Sequence, residues 1–401
     1  MARIVCLAAV LVAALAPAAQ AAGPAGTARA LDRQMRHAGA GSSAYVVDLD
    51  TGATLYDRAG DVARVPASVN KLYTTAAALT RFGAEGQLET EVLGADGLDD
   101  SGVLNGNLYV RGGGDPTFGP AEVRRLADIL AGRGLTEVTG RVIGDESRFD
   151  PLRGGPASSF RTSTWVGPLS ALAYNRGLTE GRRPAFQSRP ALYVAQRFER
   201  ALEREGIEVG GAARAGVTPS TAEMMAEWAS PRMSVIAGQI NRPSDNFMAE
   251  TMLKALGAEF GSRGSTAAGT SVAREVAAGF DAFPRMVDGS GLSRANTTTP
   301  HDVVDLLVGM DDSEVADEFR TSLAVAGRSG TLDDRMRGSA ARDRCRAKTG
   351  TLIGISALAG YCDGQAGSSV AFAFLMSGVT ASGAHALQDR MATALARYRS
   401  R

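Results

Sequence analysis

Residues 66–83 constrain this chain more tightly than any other stretch. Val69, Leu72, Ala76 and Leu79 recur at helical spacing, Pro66 suits the first turn and Gly83 ends the run. The predicted helix is apolar along one whole face, which calls for a central, buried place in a sizeable core. Ser68 and Lys71 stand at its start, three residues apart, and so emerge on one face within hydrogen-bond reach. A serine hydroxyl is a poor nucleophile at neutral pH without a neighbouring base. Lysine serves as that base only when desolvation or a second cation lowers its pKa. Burial of this helix supplies the desolvation, and its positive end beside Ser68 suits a developing oxyanion.

The first 21 residues are set apart from the fold. Arg3, an apolar run from Ile4 to Ala16, Pro17 and then Ala19-Gln20-Ala21 follow the order of a signal peptide and its cleavage site. The alternative is an uncleaved anchor, but the run is short for a span, and no later stretch reaches the roughly 18 apolar residues a span needs. Cys6 lies too early in the run for a lipid-modified cysteine. The expected product is exported, periplasmic or extracellular, with no stable transmembrane anchor, and free or associated with the wall or membrane surface.

Roughly 380 of the 401 residues then remain, more than one core usually holds. Strand-like runs at Ala44–Asp48 and Ala53–Tyr56 flank Asp50-Thr51-Gly52, a hairpin signature. From residue 88 to 222 the texture changes to short apolar runs broken by Gly and Asp, with a dense turn signal at Gly112-Gly113-Gly114-Asp115-Pro116. This predicts an inserted β-rich domain, 88–222, within a domain made of 22–87 and 223–401. Residues 222–233 and 235–255 read as helical, with Pro231 and Pro243 marking boundaries. Arg344–Gly350, Ser356–Cys362 and Val370–Met376 read as strands, and Gln388–Tyr398 as a terminal helix. The fold class expected is α/β (α+β), with helices on a largely antiparallel sheet.

Lys plus Arg and Asp plus Glu are both 43, so no basic excess points to a nucleic-acid partner. His37, His301 and His385 are scattered, and with two cysteines they offer no metal-ligand spacing; neither a metal nor a cofactor is expected. Cys345 and Cys362 are left once the leader is set aside. In an oxidising compartment a bridge between two such strands is favoured and would contribute about 3 kcal/mol. Two separate buried thiols are the alternative.

Three motifs occur in order: Ser68-Val69-Asn70-Lys71, Ser244-Asp245-Asn246 and Lys348-Thr349-Gly350. Each alone is weak. Together they are the S-x-x-K, S-x-N and K-T-G set of serine acyltransferases that react with penicillin. Ser68 would be acylated and Lys71 would take its proton, with Lys348 as a second cation near it. Ser244 would relay a proton to the leaving amine and Asn246 would hold the peptide. Lys348 offers charge to a terminal carboxylate, Thr349 a hydroxyl to orient it, and Gly350 a bare edge for a substrate strand. Backbone N–H groups of Ser68 and Thr351 would form the oxyanion hole.

Beyond these triplets the chain carries Gly112-Gly-Gly-Asp-Pro-Thr117, Gly144-Asp-Glu-Ser-Arg-Phe149, Asp288-Gly-Ser-Gly-Leu-Ser-Arg294 and Arg346-Ala-Lys-Thr-Gly-Thr-Leu352. In these it resembles the low-molecular-mass class C penicillin-binding proteins, the S13 D-alanyl-D-alanine carboxypeptidases and endopeptidases. The resemblance covers nearly all of the chain after the leader. It implies a penicillin-recognising, serine transpeptidase-like domain interrupted after the nucleophile helix. The stretch from Lys71 to Ser244 is shorter than in three-domain relatives, so one inserted domain is kept and a second is absent or trimmed. The resemblance further implies that Arg294 and Leu352 line the pocket for the substrate side chain. Asp145, from the inserted domain, would suit the amine of a diamino-acid stem peptide. The alternative for Asp288-Gly289-Ser290 is a tight turn, and for Asp115 a brace of its glycine-rich loop.

The implied partners are peptidoglycan stem peptides and β-lactam antibiotics. A β-lactamase shares the motifs, but no E-x-x-L-N string lies between the second and third, and the insertion does not fit. A wall-binding module without catalysis is disfavoured because every motif residue is present. No G-x-S-x-G or H-E-x-x-H points to another hydrolase. The balance between carboxypeptidase and endopeptidase stays open.

Overall fold

In the computed structural model, residues 22–95 and 97–400 are described. The expected signal peptide, 1–21, lies outside the described residues. Helix α1 (Pro24–Met35) leads into the hairpin β1 (Ser43–Asp48) and β2 (Thr54–Arg58), where the sequence placed it. A short 3-10 turn, Ala67–Asn70, then opens α2 (Lys71–Phe82). The expected single helix is thus two pieces, with Ser68 on the tight turn and Lys71 at the first α-helical position.

The next stretch builds a second sheet. Its strands are β3 (Glu89–Gly94), β4 (Val103–Leu104) and β5 (Leu108–Gly112), then, after α3 (Pro120–Gly132), β6 (Glu137–Asp145). An irregular segment leads to α4 (Pro190–Arg204), β7 (Glu208–Ala215) and β8 (Glu223–Ala229). The order is β4-β6-β5-β3-β8, with β7 also paired to β6. Helices α3 and α4 cover one face through Leu126, Leu130, Val194, Phe198 and Leu202. The helical reading of 222–233 fails here: Glu223–Ala229 pairs with β3, so the second sheet runs past residue 222. Cross-strand pairing decides this segment, which carries no clear period of its own.

The chain then returns through α5 (Met233–Asn241), α6 (Asn246–Phe260), α7 (Thr266–Ala278), α8 (Pro300–Asp311) and α9 (Ala316–Ser322). The helical stretch expected over 235–255 divides at Pro243, the boundary the sequence marked, and Asp245 caps α6 by accepting from Met248 N–H at 3.0 Å. The last strands are β9 (Ala324–Val325), β10 (Cys345–Leu352), β11 (Ile355–Asp363) and β12 (Ser369–Ser377), followed by α10 (Ala381–Leu395). The main sheet is antiparallel throughout, in the order β2-β1-β12-β11-β10-β9.

Both faces of that sheet are covered. Leu31 and Met35 of α1 and Leu387, Met391 and Leu395 of α10 pack on one side. The helices α2 and α5–α9 pack on the other. Strands β11 and β12 are therefore buried along nearly their whole length, which accounts for their unbroken apolar sequence. Cys345 and Cys362 face each other across β10 and β11, and their sulfurs are bonded. Among the described residues no helix is long and apolar enough to cross a membrane.

Candidate active site

Helix α2 is buried from Lys71 to Leu79, wedged among α5, α6, α7 and α9. Lys71 is 0 % exposed. Its Nζ stands 3.1 Å from Ser68 Oγ and donates to Asn246 Oδ1 at 2.7 Å and to the Ser290 carbonyl at 2.6 Å. Burial lowers its pKa to about 8, against the opposing pull of Glu250, Asp288 and Asp245. The first two motifs thus meet at one ammonium group.

Lys348 on β10 joins them from the third side. Its Nζ lies 2.8 Å from Ser244 Oγ and donates to the Thr349 carbonyl at 2.8 Å. Burial, then repulsion from Lys71, holds its pKa well below the usual lysine range. The turn before Ser68 and the loop at Ser244 both carry left-handed backbone at a residue with a side chain: Ala67 has φ 47° and Ser244 φ 64°. Such strain costs on the order of 1–3 kcal/mol and persists where the surroundings enforce it.

Two glycines permit the assembly. A Cβ on Gly350 would lie 2.6 Å from the Pro66 carbonyl oxygen and 3.1 Å from Ser68 N. One on Gly291 would lie 1.9 Å from the Ala67 carbonyl oxygen, and Gly291 also has φ 81°. Gly350 therefore lets β10 lie against the turn that carries Ser68. That differs from the expectation that it bares an edge for substrate. Among the described strands β9 pairs only with Arg346 and Ala347 on that side of β10, and Thr351 further along is exposed.

A cavity of about 850 Å³ opens at Ser68. Ser244, Asn246, Thr351, Leu352 and Arg294 line it, as the sequence expected. The Arg294 guanidinium also donates to the Ile353 carbonyl, which ties it to the β10–β11 turn. Four residues expected to meet substrate are elsewhere. Lys348, expected to face a terminal carboxylate, is fully buried with its Nζ on Ser244 and the Thr349 carbonyl, outside the lining. Thr349 is 8 % exposed and spends its hydroxyl on Thr331 Oγ1 at 2.7 Å, behind the cavity lining. Gly350 packs on the turn. Asp145 is not brought to the cavity at all: at the end of β6 it is 1 % exposed and accepts from Ser147 N–H at 2.8 Å and Thr218 N–H at 2.7 Å. Those bonds hold its carboxyl below the usual range despite burial, so it braces the second sheet.

Sequence reasoning missed other participants. Glu250, four residues after Asn246, comes to the cavity floor on the same face of α6, a spacing that could have revealed it. Asp288 and Ser290, for which a tight turn was the alternative reading, are buried beside Lys71. Asp288 does hold a turn as well, accepting from Gly291 N–H and Ser293 N–H. Trp165, 71 % exposed, stands at the rim on the irregular segment between β6 and α4, and its carbonyl accepts from Asn246 Nδ2 at 3.2 Å. Nothing in its local sequence marks it.

Known proteins resemble this chain over most of its length. The profile of the D-Ala-D-Ala carboxypeptidase 3 (S13) family matches residues 28–183 and 182–398. A D-alanyl-D-alanine carboxypeptidase of Actinomadura sp. (strain R39) is 31 % identical over 442 residues, which covers 90 % of this chain and 82 % of that one. A carboxypeptidase of Mycolicibacterium smegmatis is 30 % identical, covering 87 % of this chain and 79 % of the other. The crystal structure of penicillin binding protein 4 from Haemophilus influenzae shares the fold with a TM-score of 0.77 at 20 % identity, over 90 % of this chain and 97 % of that one. With the family profile spanning nearly everything described and the three motifs brought together around Lys71 and Lys348, the chain belongs to the D-Ala-D-Ala carboxypeptidase 3 (S13) family of serine peptidases.

Proposed function

We propose that Ser68 is the nucleophile of this D-Ala-D-Ala carboxypeptidase and Lys71 its general base. The observation that carries the reading is the 3.1 Å approach of a fully buried amine, with a lowered pKa, to the Ser68 hydroxyl. Ser68 Oγ attacks the carbonyl carbon of the penultimate D-Ala as its proton passes to Lys71 Nζ. Backbone N–H groups of Ser68 and Thr351 hold the oxyanion. Ser244 hands a proton to the leaving amine, with Lys348 beside it at 2.8 Å as the next donor in line. Water then releases the acyl group. Asn246 holds both Lys71 and the substrate amide, and Thr351 and Leu352 receive the peptide along the edge of β10.

Penicillin offers the same kind of carbonyl and acylates Ser68, but its leaving nitrogen stays attached and blocks the path of water. Within this reading Lys348 acts through Ser244, since Lys348 does not reach the cavity lining; Arg294 takes the substrate's distal side chain. The substrates are stem peptides of peptidoglycan, as terminal D-Ala-D-Ala or as cross-links. The enzyme acts outside the cytoplasm after removal of residues 1–21, with 22 to about 87 and about 230–400 as the catalytic domain and the second sheet as its insertion. Ser68→Ala should abolish covalent labelling by fluorescent penicillin while the circular dichroism spectrum stays native; retained labelling would remove the mechanism.

A further inference from the structure

Glu250 is 1 % exposed and sits one helical turn beyond Asn246 on α6. Its Oε1 accepts from Gly289 N–H at 3.1 Å and Ser290 N–H at 2.8 Å. The same loop turns its carbonyls to the nucleophile helix. Asp288 O accepts from Asn70 Nδ2 at 2.8 Å, Gly289 O from Thr74 Oγ1 at 2.9 Å, and Ser290 O from Lys71 Nζ at 2.6 Å. The loop is thus a spacer one strand thick between α6 and α2, gripped by Glu250 on one side. Glu250 Oε2 has no partner among the described residues, and a Cβ on Gly155 at the cavity wall would stand 3.5 Å from it.

We propose that Glu250 is a positioning residue for acyl transfer: it holds the Ser290 carbonyl against Lys71 and supplies negative charge that stabilises the Lys71 ammonium as Ser68 gives up its proton. In that step the Ser68 Oγ–H bond breaks, the Lys71 N–H bond forms, and Glu250 changes no bond. Lys71 is faced by Glu250, Asp288 and Asp245, and by Lys348 from β10. Glu250 is faced by Asp288 and, along its own helix, by Lys254. Burial first, and Asp288 second, raise Glu250 to about 7. Its ionisation raises the pKa of Lys71, so removing its charge lowers that pKa.

The inference rests on Ser68 and Lys71 as the reacting pair, which Ser68→Ala tests separately. The rate of acylation by a labelled penicillin is measured against pH on the full chain. In the unaltered protein it should rise as Lys71 loses its proton, near pH 8. Glu250→Gln keeps the acceptor oxygen and removes the charge. Its acidic limb should move down by about one pH unit, and the plateau should fall about tenfold. Glu250→Ala removes the grip as well and should lose at least about a hundredfold at every pH. An unmoved limb in the glutamine variant, or an alanine variant as fast as the glutamine one, overturns the proposal. If the glutamine variant does not fold, Gly155→Ala decides. Its methyl would make ordinary contact with the carboxylate and desolvate it further without touching Ser290. The limb should then move down by a smaller amount, and a stationary limb overturns the role.

Discussion

The cavity has a floor and a wall of opposite character. The floor is made by α2, α6, β10 and the 288–291 loop, and its ionisable groups, Lys71, Lys348, Glu250 and Asp288, are each 1 % exposed or less. The wall is the irregular segment between β6 and α4, where Trp165 is 71 % exposed. The wall is nonetheless tied down. Lys254, one turn beyond Glu250 on α6, donates to Asp150 Oδ1 and the Leu152 carbonyl, both at 2.7 Å. Val166, Leu169 and Ala171 anchor its middle in the helical core. Under the proposed mechanism a neutral amine must be kept from water, which suits buried regular elements, and recognition needs surface the ligand can reach, which suits the loop.

Substitutions can break this division. On the floor, Gly350→Val should cost about a hundredfold or more in acylation by penicillin and peptide alike, because its Cβ would push β10 away from Ser68. Rates that fall for one substrate only would show that Gly350 serves recognition instead. In the strand beneath the floor, the paired change Cys345→Ser and Cys362→Ser should cost about 3 kcal/mol of stability, read from urea denaturation, with acylation of the folded protein preserved. Lost acylation at full stability would place the bridge in the site. On the wall, Trp165→Ala should lower kcat/KM for stem peptides about fivefold, in keeping with an exposed aromatic contact of on the order of 1 kcal/mol. Acylation by a small penicillin should hardly change, and an equal loss for both would erase the distinction.

These unequal regions were unequally legible. Ser68 and Lys71 on the floor announce themselves because S-x-x-K places two side chains one turn apart and a buried helix has a clear apolar period, whereas Glu250 and Asp288 beside them do not. Residues whose partners lie far along the chain do not. Asp145 was assigned to substrate from its place in a motif, yet Thr218 claims its free oxygen 73 residues later. Thr349 was given a ligand, yet Thr331 takes its hydroxyl. Residues 223–229 looked helical until β3 offered an edge.

By itself the sequence determined the reaction class, the buried helix behind Ser68, the three-strand core β10–β12 and the helical character of what covers it, because each depends on local periodicity and on short fixed spacings. Only the tertiary structure decided which ionisable groups surround Lys71, which expected ligands are already occupied, and which loop walls the cavity. The reason is physical: burial and long-range hydrogen bonds set charge and availability, and both depend on neighbours that adjacent residues do not encode.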